Sequence, residues 1–275
     1  MVLVEFQALG TKWSLGFKEN IDNSAIKEAT AIIKDFEMRY SRFESDSLVS
    51  KLNNMRSIPY DKHLIKMIEI GKYWYIHSNG LFNILIGDKI EKSGYDQELS
   101  FSDINIHSAI VGDPIKDIII SENTIKLLGK GKLDLGGLGK GYLIDLVKDF
   151  LIYKKVTEFT VHGGGDIYHH SPVSQVFYLE HPLNKGEYID TVSIKNQALC
   201  SSSNIKRSWI STSGINYSHL IGSRLEPVQS YVIAKDCVTA DIVATICCLE
   251  GVETPLFIGC YIYLFIKNEF VQITI

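Results

Sequence analysis

The chain has 275 residues, 45% of them hydrophobic and 22% charged, with 28 Lys+Arg against 32 Asp+Glu and a formal net charge of −4. This composition excludes a disordered chain and a short stapled scaffold. The weakly acidic balance, without a basic run, also excludes binding to nucleic acid through displaced phosphate counterions.

In chain order, residues 6–17 are rich in strand formers. Ile26, Ala29, Ile33, Phe36 and Tyr40 then recur at helical spacing, with Asn23 or Ser24 as the expected cap. A second helix is expected over 61–78, with Leu64, Ile68, Gly71 and Tyr75 on one stripe and Asn79-Gly80 as a left-handed stop. The apolar groups 118–120 and 125–128 flank Ser121 to Asn123 as a hairpin. The glycine-rich 136–141 leads into a helix through Leu143, Val147 and Phe150.

Strands are expected around 159–162, 175–180, 188–194 and 231–234, one helix over 239–249, and a closing hairpin from 261–266 and 269–275 around Lys267-Asn268. Strands and helices do not alternate regularly. The expected fold class is therefore α+β with largely antiparallel sheet and packed helices.

The five cysteines form no C-x-x-C pair, and their odd number does not suggest a disulfide framework. A reducing compartment follows as the expectation. The first residues lack the pattern of an export signal, which makes the cytoplasm the expected location. Apolar stretches such as 261–266 fall far short of the ~20 residues a membrane helix needs, so no membrane segment is expected.

Four segments can carry chemistry. In Leu133-Asp134-Leu135-Gly136-Gly137-Leu138-Gly139-Lys140-Gly141, four glycines free backbone groups to approach a phosphate or metal just before a helix. A tight structural turn is the alternative. In His162-Gly163-Gly164-Gly165-Asp166, something packs against the backbone, a ligand or another chain segment; the bland alternative is a strand corner closed by an Asx turn at Asp166.

Asp241 and Thr245 lie four residues apart and share a helix face, with Cβ atoms ~6 Å apart. Together they suit a Mg²⁺ ion, which usually takes few protein oxygens beside substrate phosphates. Otherwise Asp241 favours the helix start and Thr245 bonds to a carbonyl one turn back. The serines 201–203 read as a loop, and His219 as a satisfied structural histidine.

Taken in order, these segments resemble the ApbE family, the FAD:protein FMN transferases. Leu9-Gly10-Thr11 is similar to the family's Met-Gly-Thr opening, Ser41-Arg42-Phe43 to its Ser-Arg-Phe, and 134–141 to its Asp-Leu-Gly-Gly-x-x-Lys-Gly block. Gly164-Gly165-Asp166-Ile167 and Ala240-Asp241 with Ala244-Thr245 match later blocks. The resemblance implies a T-fold-like α+β domain over 1–275 that holds FAD with Mg²⁺ on its pyrophosphate.

By the same resemblance, Gly137, Asp241 and Thr245 would hold the metal. Asp134 and Lys140 would contact FAD, and Leu9, Phe43, Leu81, Phe82, Asn83 and Ile221 would lie near it. His219 would be the base, with Lys140 and Asp241 as its catalytic companions.

The implied reaction transfers FMN from FAD to a Thr or Ser hydroxyl of an acceptor protein and releases AMP. The chain departs from the family at 222–226, where Gly-Ser-Arg-Leu-Glu replaces Asp-Pro-Arg-Thr-Gly, at Asn83, which replaces an acid, and at Ser203, which replaces Gly. Those departures keep two alternatives open: an FAD pyrophosphatase and a non-catalytic FAD-binding protein.

Overall fold

The computed structural model describes residues 2–18, 21–102, 106–211, 214–223, 226–249 and 259–273. The chain opens with β1 (Val2–Ala8) and β2 (Thr11–Phe17), followed by α1 (Asn23–Tyr40), α2 (Leu48–Met55), β3 (Ser57–Pro59), α3 (Lys62–His77), α4 (Gly87–Lys92) and α5 (Pro114–Asp117). Then come β4 (Ile118–Ile120), β5 (Thr124–Leu127), α6 (Gly139–Tyr153), β6 (Phe159–Gly163), β7 (Asp166–His170), β8 (Gln175–Glu180) and β9 (Tyr188–Ile194). The remainder is β10 (Gln197–Ser203), β11 (Ser208–Ile210), β12 (Asn216–Ser218), β13 (Val228–Ala234), α7 (Cys237–Cys247), β14 (Tyr261–Ile266) and β15 (Glu269–Ile273).

Eight strands form the main sheet in the order β1-β2-β6-β7-β10-β13-β14-β15, and every neighbouring pair is antiparallel. The α+β reading with largely antiparallel sheet therefore holds. Helices α1, α6 and α7 cover one face. The β8–β9 hairpin covers the other, with Leu179, Val192 and Ile194 on Leu199, Tyr231 and Ile233. Because it is covered on both faces, β13 is buried at every position, Gln229 and Ser230 included.

Local chemistry sets the element ends. The β1–β2 turn holds Leu9 at φ 49° and Gly10 at φ 65°, as a two-residue hairpin of this twist demands. Helix α1 is capped one residue earlier than expected, by Asp22, whose carboxylate accepts from the Ser24 N–H at 2.9 Å. Asp61 caps α3, and Asn79 (φ 52°) with Gly80 (φ 83°) ends it as the sequence implies. Tyr75 of the expected stripe stays half-buried while Trp74 is buried in its place.

Two expectations change. Residues 201–203 are strand, not loop, since this half of β10 pairs with β13 while residues 197–199 also pair with β7. Asp166 opens strand β7 rather than closing an Asx turn, and Gly164-Gly165 makes the two-residue turn at φ 63° and 102°. Residues 274–275 of the closing hairpin and 224–225 of the altered segment lie outside the described residues.

All five cysteines are buried and free, and no helix among the described residues is long and apolar enough to cross a membrane.

Helices α6 and α7 approach closely at Gly141, where a Cβ would lie 2.5 Å from the Cys237 carbonyl oxygen. Gly141→Ala is expected to lower stability by about 1–3 kcal/mol through this overpacking. Urea unfolding measures it; an unchanged midpoint would show that the two helices part freely.

Candidate functional site

A cavity of about 590 Å³ opens beside the start of α6. Its wall includes Leu9, Phe43, Leu81, Phe82, Asn83, Asp134, Gly137, Lys140, His219, Ile221, Asp241 and Thr245, the residues that the family resemblance assigns to the site.

Helices α6 and α7 cap each other. No side chain caps α6 from within its own N-cap residue, Leu138. Instead Asp241 of α7 accepts the Gly141 N–H at 3.0 Å. In return Asp145 of α6 accepts the N–H groups of Cys237 and Val238, at 3.1 and 2.9 Å, in the first turn of α7. Each carboxylate satisfies amides that a helix leaves without partners and sits at the positive end of its dipole. Asp241 is therefore not the start residue of its own helix, a place taken by Asp236.

Lys140 joins this pair to the sheet. Its ammonium bonds to Asp166 and lies 3.5 Å from Asp241 Oδ1. The other oxygen of Asp166, which is fully buried, accepts the Ser201 N–H at 3.2 Å. Burial alone would depress the Lys140 pKa, but the charges of Asp166 and Asp241 outweigh it and hold the ammonium well above its ordinary range. Burial pushes the Asp241 carboxyl up to about 7, with Asp166 adding to the rise and Lys140 opposing it.

Thr245 follows Asp241 by one turn. Thr30 in α1 donates to the carbonyl four residues back, whereas the Thr245 hydroxyl makes no such bond among the described residues. A Cβ on Gly137 would lie 3.7 Å from Thr245 Cγ2 and 3.0 Å from Phe82 Cε2, so the 136–137 turn passes directly over α7. The Asp241 carboxylate, the Thr245 hydroxyl and the Gly137 turn thus share one wall of the cavity as a set of hard-oxygen groups. Among the described residues no cluster of three or more His, Cys, Asp or Glu offers another metal site. The set suits an ion such as Mg²⁺ that shares its shell with phosphate oxygens.

The opposite wall is aromatic and cationic. The Arg42 Nε pairs with Asp134 Oδ2 at 2.7 Å, while Asp134 Oδ1 accepts the Gly136 N–H at 2.8 Å. The Asp134 carboxylate is thus engaged on both oxygens within the protein. Arg42 lies over Phe43, which meets Tyr95 edge-on, and Tyr95 stacks on Trp209. Glu37 accepts the Leu9 N–H at 2.5 Å and fixes that turn at the rim. Asn83 bonds to the Gly112 carbonyl and the Leu85 N–H, so its side chain pins the loop.

His219 is half-buried beside the Arg207 carbonyl, which lies 3.4 Å from its Nδ1. A carbonyl only accepts, so Nδ1 carries the hydrogen and Nε2 keeps its lone pair. Burial and then the Arg207 charge push the His219 pKa down to about 4, which leaves the ring neutral near pH 7.

A model of the ApbE family matches residues 9–257. The chain belongs to this family. Among curated relatives, the FAD:protein FMN transferase of Rhodobacter capsulatus is 26% identical over 76% of this chain and 43% of its own length. The chain thus spans less than half of that relative. The Klebsiella pneumoniae (strain 342) protein of the same name is 22% identical over 86% of this chain and 76% of its own length.

The crystal structure of the Thermotoga maritima ApbE protein superposes with a TM-score of 0.80 at 17% identity, covering 98% of this chain and 96% of that one. The flavin transferase ApbE from Vibrio cholerae gives 0.78 at 16%, covering 99% and 96%. At these identities the likeness shows the ApbE fold.

In this ApbE chain the sequence reading assigned no role to Arg42, Tyr95 or Asp166. Arg42 and Asp166 stand inside matched motifs, whose composition was the available signal. Tyr95 lies in a stretch without periodicity and gave none.

Asp241→Asn tests the burial of this charge. A raised carboxyl pKa makes the folded state take up protons that the unfolded chain has released, so wild-type stability falls as pH rises from about 4 to about 7. The variant lacks that slope. In metal-free buffer its stability relative to wild type should grow by about 1.4 kcal/mol per pH unit up to about pH 7 and then level off. Urea unfolding at several pH values reads this, and parallel curves would overturn it.

Proposed function

We propose that this protein transfers FMN from FAD to a Thr or Ser hydroxyl of an acceptor protein and releases AMP, with Mg²⁺ bound by Asp241, Thr245 and the Gly137 carbonyl. The observation that carries the reading is the hard-oxygen set beside Lys140 on the wall of one cavity. Family membership and curated relatives named FAD:protein FMN transferase support it. Five buried free thiols suit a reducing compartment, and the cytoplasm is the proposed location.

In this reaction the acceptor hydroxyl oxygen attacks the FMN-side phosphorus. The bond from that phosphorus to the bridging oxygen breaks, and AMP leaves with the bridging oxygen. The neutral His219 takes the hydroxyl proton on Nε2. Lys140, held by Asp166 and Asp241, offsets charge on the pyrophosphate. A bound Mg²⁺ would supply further neutralisation of phosphate charge.

Phe43 and Phe82 offer apolar surface for a ring of the dinucleotide, and Leu9 with Ile221 closes the wall around it. The replaced residues at 222–226 favour one second reading, in which water takes the place of the acceptor hydroxyl and free FMN is the product.

Incubation with FAD, Mg²⁺ and a Thr-bearing acceptor is expected to yield AMP together with protein-bound flavin, read by chromatography and in-gel fluorescence. Asp241→Ala should lower AMP release on the order of 10²-fold or more. Free FMN without labelled acceptor would establish the hydrolytic reading; no AMP despite bound FAD would sink both.

The pH profile of AMP release provides a separate check. Because protons and Mg²⁺ compete for the Asp241 carboxylate, which burial holds above the usual carboxylate range without metal, the acidic limb should move to lower pH as Mg²⁺ is raised. A limb that stays at the same pH at every Mg²⁺ concentration would remove Asp241 from the rate-controlling equilibrium.

A further inference from the structure

Arg42 has no task in the transfer chemistry described so far, yet its side chain is only 8% exposed on the cavity wall. Besides the pairing of Nε with Asp134, its Nη2 donates to the Tyr95 carbonyl at 2.7 Å, and its Cζ stands 4.2 Å from the centroid of the Phe43 ring. Since Asp134 also holds the Gly136 N–H, one planar group ties together three segments of the wall, at 42–43, at 95 and at 134–136.

The remaining nitrogen, Nη1, makes no hydrogen bond to a described residue. It is also not among the buried polar atoms lacking a partner, which are His169 Nε2, His170 Nδ1 and Gln229 Oε1. Its N–H groups are therefore reached by solvent, and Arg42 is one of the residues lining the cavity.

We infer that Arg42 both positions the 134–137 turn through Asp134 and donates from Nη1 to an oxygen of the bound dinucleotide. The inference rests on FAD being the ligand of this cavity. The accepting oxygen belongs to a phosphate or to a ring carbonyl, both of which suit a guanidinium. Lysine cannot substitute, because one ammonium does not reach a carboxylate, a carbonyl and an aromatic face at once while keeping a donor free.

The test is equilibrium binding of FAD, riboflavin and ADP, each with Mg²⁺, to the wild type, Arg42→Lys and Arg42→Met, with thermal unfolding of each protein. Both variants should bind FAD about tenfold or more weakly, with Lys closer to wild type. A loss shared by ADP and spared by riboflavin supports the inference with a phosphate oxygen as acceptor. The reverse pattern supports it with a ring carbonyl.

FAD affinity within about twofold of wild type in both variants would overturn the inference. So would equal losses for all three ligands accompanied by a lowered unfolding temperature, which would make Arg42 a structural pin. Arg42→Lys keeps the cation and carries the test where Arg42→Met fails to fold. Wild-type protein that binds no FAD would end the proposed function and this inference together, whereas bound FAD with unaffected variants ends the inference alone.

Discussion

The exchange of carboxylates between the N-termini of α6 and α7 is the interaction on which the rest of the site depends. Asp241 caps α6 and Asp145 caps α7, so neither helix can shift without leaving buried amides unpaired. The absence of a side chain at Gly141 permits the approach. The exchange delivers Asp241 to the cavity with one oxygen committed to a backbone amide and the other turned toward Lys140.

A buried carboxylate in this position is costly, and the protein answers with compensation rather than exposure. Lys140 is placed between Asp166 on the sheet and Asp241 on the helix, which joins the two layers of the fold through charge as well as through apolar packing. The cluster sets two acids against one ammonium, and the Asp241 pKa is raised by burial first and by the Asp166 charge second, against the pull of Lys140. The cation proposed beside Thr245 would offset the second acid.

Much of the architecture was legible because periodicity reports burial. The α1 pattern of Ile26, Ala29, Ile33, Phe36 and Tyr40 marks a helix with one covered face, and Asn79-Gly80 marks the end of α3. Polar strands were not legible in this way. Ser201, Ser202 and Ser203 look like loop residues until their pairing with β13 is seen. Asp166 looks like a turn residue because nothing local records its partner Lys140, 26 positions earlier.

The cavity residues were found as a set through the order of motifs. How they divide the labour was not, since Asp134 gives itself to Arg42 and Asn83 to a loop only in three dimensions.

The strand order has a consequence for synthesis. Strand β2 pairs with β6, whose partner residues lie 142 to 150 positions later (Phe17 with Phe159, Trp13 with Gly163), and the Asp241 carboxylate comes from a helix later still. Contacts of such separation form slowly, because loop closure must be paid for before pairing rewards it. A nascent chain carrying Leu9, Phe43, Asp134 and Lys140 has no partial version of the site to offer. The proposed site is therefore complete only once α7 has packed against α6.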